Sequence, residues 1–209
     1  MNMQQGYVLI VEDVPDILKL LEATLTFKGY RVVTSVNGQE ALEAIQRERP
    51  ALVITDIMMP RLDGFGLVHR IRINPETREI PVIFLTATYV ALEDKAFALN
   101  IGATRFIEKP VNFEKFLETV EELMTKDVPS APPLMSEAEF YEGYRQRLEK
   151  KLQQKVTQIT RDERLLETIS EDEKPTFRAS LQMAMNERDE LQRLLAELRT
   201  RIESIKKPE

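Results

Sequence analysis

Ala51-Leu52-Val53-Ile54-Thr55-Asp56 and Tyr7-Val8-Leu9-Ile10-Val11-Glu12-Asp13 are the stretches that decide the fold. Each is a short apolar run that stops abruptly on carboxylates. Near-continuous apolar runs of this length mark strands of a parallel sheet, because helices cover both of its faces. Ligands of such sheets bind beyond the carboxyl ends of the strands, so Glu12, Asp13 and Asp56 are expected to meet at one edge. Two carboxylates about 4 Å apart repel by roughly 4 kcal/mol at an effective dielectric of about 20. A cluster of this kind takes up a proton or binds a cation. With oxygen ligands and neither nitrogen nor sulfur, the set suits a hard ion such as magnesium.

Outward from these runs, apolar stretches alternate with amphipathic ones as far as residue 125, the pattern of successive strand–helix units. Strands are expected at Val8–Glu12, Arg31–Ser35, Leu52–Thr55, Val82–Leu85 and Arg105–Ile107. Helices are expected at Pro15–Lys28, Gly38–Glu48, Phe65–Ile71, Ala91–Leu99 and Phe113–Met124. Gly29 stands where a helix C-cap belongs, and Asn37-Gly38 punctuates the next turn. With right-handed crossovers, five such units give an α/β domain, a doubly wound five-stranded parallel sheet over residues 1–125.

The composition then shifts. Residues 126–133 carry Pro129, Pro132 and Pro133 among small and polar neighbours and read as a proline-rich linker. Residues 134–209 read as an all-α antiparallel helical hairpin with coiled-coil spacing. Leu181, Ala184, Arg188, Leu191, Leu195, Leu198 and Ile202 recur at three- and four-residue steps in the second helix, and Leu148, Leu152 and Ile159 keep the same register in the first. Arg145, Lys155 and Asp162 interrupt the first seam, and Arg188 the second. Between the helices, Ser170 and Glu173 have capping-box spacing while Pro175 suits a first helical turn, so the start of the second helix is open between them. Nearby Tyr144, Val156 and Leu165 widen the apolar face, and a second copy of the chain is the simplest cover, giving a homodimer.

The chain has 209 residues, 43% of them hydrophobic, and no cysteine, which excludes disulfides and thiolate metal sites. The first apolar run fits neither a signal peptide nor a membrane span, so a cytoplasmic protein is expected. Of the net charge of −6, residues 1–133 carry 14 basic against 19 acidic side chains, while residues 134–207 hold 15 of each. No basic footprint for nucleic acid stands out. His69, the single histidine, falls on the expected third helix as a partly exposed residue. The hairpin contains no histidine, which excludes histidine phosphotransfer there.

Four strand ends thus supply an acid pair, a lone acid, a hydroxyl at Thr86 and a lysine at Lys109. With Val11-Glu12-Asp13, Asp56-Ile57-Met58-Met59-Pro60, Asp63-Gly64, Thr86-Ala87 and Lys109-Pro110 in this order, residues 6–125 resemble the response-regulator receiver family of two-component signalling. The resemblance implies a flavodoxin-like fold with Asp56 as phosphoacceptor and a sensor histidine kinase as donor. It implies Mg2+ held by Glu12, Asp13, Asp56 and the backbone carbonyl of Met58. Thr86 and Lys109 would bind the phosphoryl group, with Ala87 small where the donor approaches, and Thr86 and Phe106 would form the switch. The Lys109-Pro110 bond is one the family often holds in cis. Met58 and Thr88 occupy positions that tune phosphoryl lifetime, and an apolar Met58 implies self-dephosphorylation over minutes to hours.

The resemblance implies no enzyme acting on an external substrate, and no membrane association is expected. Ala103-Thr104-Arg105 replaces the acidic residues of the winged-helix transcription-factor subfamily. The leading expectation is a phosphorylation-controlled regulator whose hairpin dimerises or docks a partner. The alternative is a transcriptional regulator with a cryptic nucleic-acid surface on its helices, and a third reading is a constitutive structural dimer.

Overall fold

Apolar β-branched runs form the sheet and the amphipathic stretches between them form its covering helices. The computed structural model describes residues 6–87, 92–125, 135–170 and 172–206, without the side chains of residues 87, 92–94 and 206. The linker 126–133, Thr88, Ala91 and the Ala87 side chain lie outside that description. The strands are β1 (Val8–Val11), β2 (Val32–Ser35), β3 (Leu52–Asp56), β4 (Val82–Ala87) and β5 (Arg105–Lys109). The helices between them are α1 (Pro15–Phe27), α2 (Gly38–Arg47), α3 (Gly64–Ile73), α4 (Leu92–Asn100) and α5 (Phe113–Thr125). All pairings are parallel, in the order β2-β1-β3-β4-β5. The strand order reverses between β1 and β3, the switch point where a crevice opens in such sheets.

Local chemistry sets the helix ends. Pro15 opens α1, and Gly29, at φ +88°, ends it in a conformation that disfavours side chains. The Asn37 and Asp63 side chains cap α2 and α3 by accepting from the backbone N–H of Glu40 and Gly66. Alternate strand residues point to opposite faces. Val8, Ile10, Leu52, Ile54, Ile83 and Leu85 pack with Leu21 and Leu25 of α1 and Phe116 and Val120 of α5. Residues of the opposite parity serve the other face, where Phe84 meets Phe65 of α3 at 5.5 Å between ring centroids, and Phe65 meets Phe97 of α4 at 5.2 Å.

Two residues of α3 depart from a surface reading. His69 is buried, 7% exposed, because α3 is covered on nearly every side, with Phe65 to His69 all inaccessible. The expectation of a partly exposed histidine is corrected. Arg72 is 3% exposed and ties three segments together. Its guanidinium donates to the carbonyls of Gly102 (3.0 and 2.7 Å), Arg78 (2.9 Å) and Ile80 (2.8 Å). Burial, opposed by the nearby Glu79 charge, lowers its pKa to about 10. Gly102, at φ +103°, leaves no room for a Cβ, which would fall 2.6 Å from Arg72 Nε.

The chain divides into two compact units, Met1–Met135 and Ser136–Glu209. The second consists of α6 (Glu137–Leu166) and α7 (Lys174–Lys206), packed on each other. A capping box between Ser136 and Glu139 opens α6, and Pro175 lies in the first turn of α7. Ion pairs join Glu137 to Arg201 (2.9 Å), Glu149 to Arg199 (3.4 Å) and Lys155 to Glu187 (2.6 Å) across the two helices. Early residues of one helix meet late residues of the other, so the pair is antiparallel. Leu148, Ile159, Leu191, Leu195 and Leu198 are buried within a single copy, while Leu152, Leu181 and Ile202 are half-buried. Among the described residues no helix is long and apolar enough to cross a membrane.

Replacing Arg72 by Met strands buried carbonyls in the α3–β4 connection and the turn before β5. The expected cost is about 3 kcal/mol, since each unsatisfied buried acceptor costs on the order of 1–3 kcal/mol. Urea unfolding of Arg72→Met measures it, and an unchanged midpoint would contradict the role assigned to this side chain.

Candidate functional site

The same alternation that builds the core also builds the site. Val8 and Ile10 precede Glu12, Leu52 and Ile54 precede Asp56, and Ile107 precedes Lys109 at two-residue steps along the row facing α1 and α5. In register, Ile10 pairs with Ile54, and β4 links β3 to β5 through Asp56–Leu85 and Leu85–Ile107. In each of the three rows an apolar side chain thus directly precedes an ionisable group at one edge.

Lys109 Nζ donates to Asp56 Oδ1 at 2.5 Å and to Glu12 Oε2 at 2.7 Å. Glu12 is fully buried and Asp56 is 6% exposed. Glu12 Oε1 accepts from the Val14 N–H (3.3 Å), and Asp56 Oδ2 accepts from the Met58 N–H (2.6 Å). Burial pushes the Glu12 carboxyl above the ordinary glutamate range, and the Asp56 charge adds to this against the pull of Lys109. Burial also works against the Lys109 ammonium, but its hydrogen bonds to Asp56 and Glu12 and their charges outweigh this and hold it above the ordinary lysine range.

Asp13 follows Glu12 and is half-buried. The structure brings Glu12, Asp56 and Lys109 into direct contact. Among the described residues, no group of three or more carboxylate or histidine side chains is arranged to hold a metal. Glu12 is turned to Lys109 instead. The donor set still fits a hard cation, since magnesium needs only one or two carboxylates and keeps several waters. Asp13, Asp56 and the Met58 carbonyl supply oxygen donors of that kind.

Thr86 and Phe106 occupy the other pleat row. Thr86 is buried and pairs in register with Glu108, as Phe84 does with Phe106. Phe106 is half-buried, its ring 6.3 Å from Phe84 and 5.6 Å from Lys95 Nζ of α4. The Lys109-Pro110 bond is cis. Met58 is 49% exposed at the mouth of the site.

The loop after β3 carries features that the sequence reading had not assigned. Arg61 has φ +63° and pairs with Glu40 at 3.4 Å. The Gly38 N–H donates to the Leu62 carbonyl at 2.9 Å, clamping the start of α2 to this loop. A Cβ on Gly64 would fall 2.2 Å from the Asp56 carbonyl, so the start of α3 approaches the site backbone as only glycine allows. The Asp63-Gly64 pair was visible in the sequence as part of a motif, whereas the Arg61 and Gly38 contacts carry no local signal.

The family model of the response regulator receiver domain matches residues 8–121. "Probable transcriptional regulator ycf27" of Pyropia yezoensis is 40% identical over 110 residues, covering 53% of this chain and 44% of that protein. Response regulator PleD of Caulobacter vibrioides is 37% identical over 105 residues, 50% of this chain and 23% of that one. Chemotaxis response regulator CheY4 of Vibrio cholerae superposes with a TM-score of 0.53 at 33% identity, covering 56% of this chain and 98% of its own. The chain thus spans less than half the length of these two curated relatives.

Native Glu12 holds its proton to higher pH than the unfolded chain does. Its contribution to stability therefore falls as pH rises from the ordinary glutamate range through the raised value. The stability from Lys109 is present below the ordinary lysine range and is lost as pH rises through its own raised value. Glu12→Gln should abolish the acid-side decline, so that urea midpoints of wild type fall relative to the variant across that window and then run parallel. Parallel curves throughout would contradict the raised Glu12 value.

Proposed function

Because the chain belongs to the response regulator receiver domain family, we propose that it is a two-component response regulator phosphorylated on Asp56 by a sensor histidine kinase. The observation that carries this reading is the Lys109 ammonium held between Asp56 and Glu12 at the carboxyl edge of the sheet. An Asp56 oxygen forms the new O–P bond as the P–N bond to the donor imidazole breaks, and the imidazole leaves with the electron pair. Lys109 passes from Asp56 to a phosphoryl oxygen, and the Thr86 hydroxyl donates to another. Ala87 leaves room for the donor. Mg2+, held by Asp13, Asp56 and the Met58 carbonyl with Glu12, would offset the negative charge and orient the phosphoryl group.

Movement of Thr86 toward the phosphoryl group frees space beside Phe106, which turns inward and changes how α4 and β5 present themselves. The hairpin is the output, as a dimerisation or docking element of a cytoplasmic protein. Its innermost leucines are already buried in one copy. A second copy would therefore meet the half-buried Leu152, Leu181 and Ile202 and the exposed Val156, Leu165 and Met183. The chain performs no chemistry on an external substrate. The name of the Pyropia relative favours a second reading as a transcriptional regulator, but that match is confined to 110 residues and carries no argument for the hairpin.

Incubation with acetyl phosphate and Mg2+ should add one phosphoryl group, read by intact mass. Asp56→Asn should remain unmodified, and modification of that variant would overturn the assignment. The purified phosphoprotein should keep its label for minutes to hours, because Met58 stands where water must approach. Light scattering of the full chain should report a larger molar mass with Mg2+ and beryllofluoride than without. An identical mass in both states would leave the hairpin outside the switch.

A further inference from the structure

The far end of the receiver carries a groove of about 360 Å³ between the C-terminal ends of α2 and α3. Both helices run back from the carboxyl edge of the sheet, so this groove lies at the edge opposite Asp56. Its floor is aliphatic, with Leu42, Ile45 and Ile71, and three guanidinium groups come to it from separate segments. Arg47 ends α2, Arg49 lies in the connection to β3, and Arg70 lies on α3.

The charge around the groove is unevenly matched. Glu48 is taken up by Arg31 through bonds of 2.6 and 2.7 Å. Arg47 has only Glu43, at 3.7 Å and exposed, a pair of little weight. Arg49 spends Nε on the Glu76 carbonyl at 3.1 Å, spanning the groove. Among the described residues, neither Arg49 nor Arg70 has a carboxylate within ion-pairing distance. Glu76 on the rim is the remaining negative group. Cations do complement helix C-termini, but that effect requires neither Arg49, which lies beyond α2, nor an aliphatic floor beneath the guanidinium groups.

We propose that this groove docks an acidic peptide segment of a partner protein. Carboxylates of the segment pair with Arg49 and Arg70, whose planar forks match carboxylate geometry, and an aliphatic side chain rests on Leu42. A nucleic acid is a poorer occupant, because the described residues lining the groove include no aromatic side chain on which a base could stack, and its floor is aliphatic. The groove lies away from Asp56, so docking is compatible with phosphorylation and independent of it.

Fluorescence anisotropy of the full chain with a labelled Glu-Leu-Asp-Glu-Leu-Glu peptide at low salt tests this. Saturable binding is expected, weakened about tenfold or more by Arg49→Ala combined with Arg70→Ala. Arg70→Lys should give an intermediate loss, since it keeps the charge but not the fork. Amide shifts on titration should centre on Arg49, Arg70 and Thr77. The proposal fails if binding is absent up to about 1 mM peptide, if the variants bind equally, or if a Lys-Leu peptide binds as well. Tighter groove binding by a single-stranded DNA oligonucleotide would also overturn it, making nucleic acid the occupant.

Discussion

One ammonium between two buried carboxylates sets the terms for the rest of the receiver. Glu12 and Asp56 lie at the carboxyl ends of neighbouring strands and would repel each other without Lys109. Burying such charges is costly unless geometry and hydrogen bonding are good, and the sheet provides both. The two-residue period of three strands delivers the three groups to the same face at the same height. The Val14 and Met58 N–H groups then satisfy the remaining carboxylate oxygens. Slipping one strand by a single residue would turn its ionisable group to the wrong face and break the arrangement.

The same period divides the site from its surroundings. Glu12, Asp56 and Lys109 continue the row packed on α1 and α5, whereas Thr86, Phe84 and Phe106 belong to the row facing α3 and α4. The charged edge and the row facing α4 adjoin in β4, where Asp56-paired Leu85 and Thr86 are consecutive residues. Lys95 of α4 lies over the Phe106 ring and 3.9 Å from Glu108, so the helix and the edge strand are tied together there.

The inner strands were legible because a buried parallel strand must be apolar throughout, and Glu12 and Asp56 stood out by ending such runs. Lys109 ends an edge strand of mixed polarity and was legible through the Lys109-Pro110 motif. Other features left no local trace. Arg72 at a helix end reads as a solvated charge, since its partners are backbone carbonyls that any sequence would supply. His69 was misjudged because α3 is covered by neighbours distant in sequence. The leucine spacing of α6 and α7 announced a seam but did not say whether the seam closes within one chain or between two, since both need the same period. The interruptions at Arg145 and Lys155 are accounted for by ion pairs with Glu142 and Glu149, and with Glu187. Asp162 is buried, its carboxylate accepting from Gln158 Nε2 at 3.4 Å and pairing with Arg161 at 3.5 Å.

The antiparallel course of α6 and α7 has a mechanical consequence. The Glu137–Arg201 contact fastens the two chain ends of the hairpin together, so both lie at one end of the helical pair and the turn lies at the other. The 30 residues of α6 extend roughly 45 Å at about 1.5 Å per residue. Tilting a helix of that length about one end by about 10° sweeps its other end through roughly 8 Å. A displacement too small to disturb packing at one end becomes a change of position comparable to a helix diameter at the other.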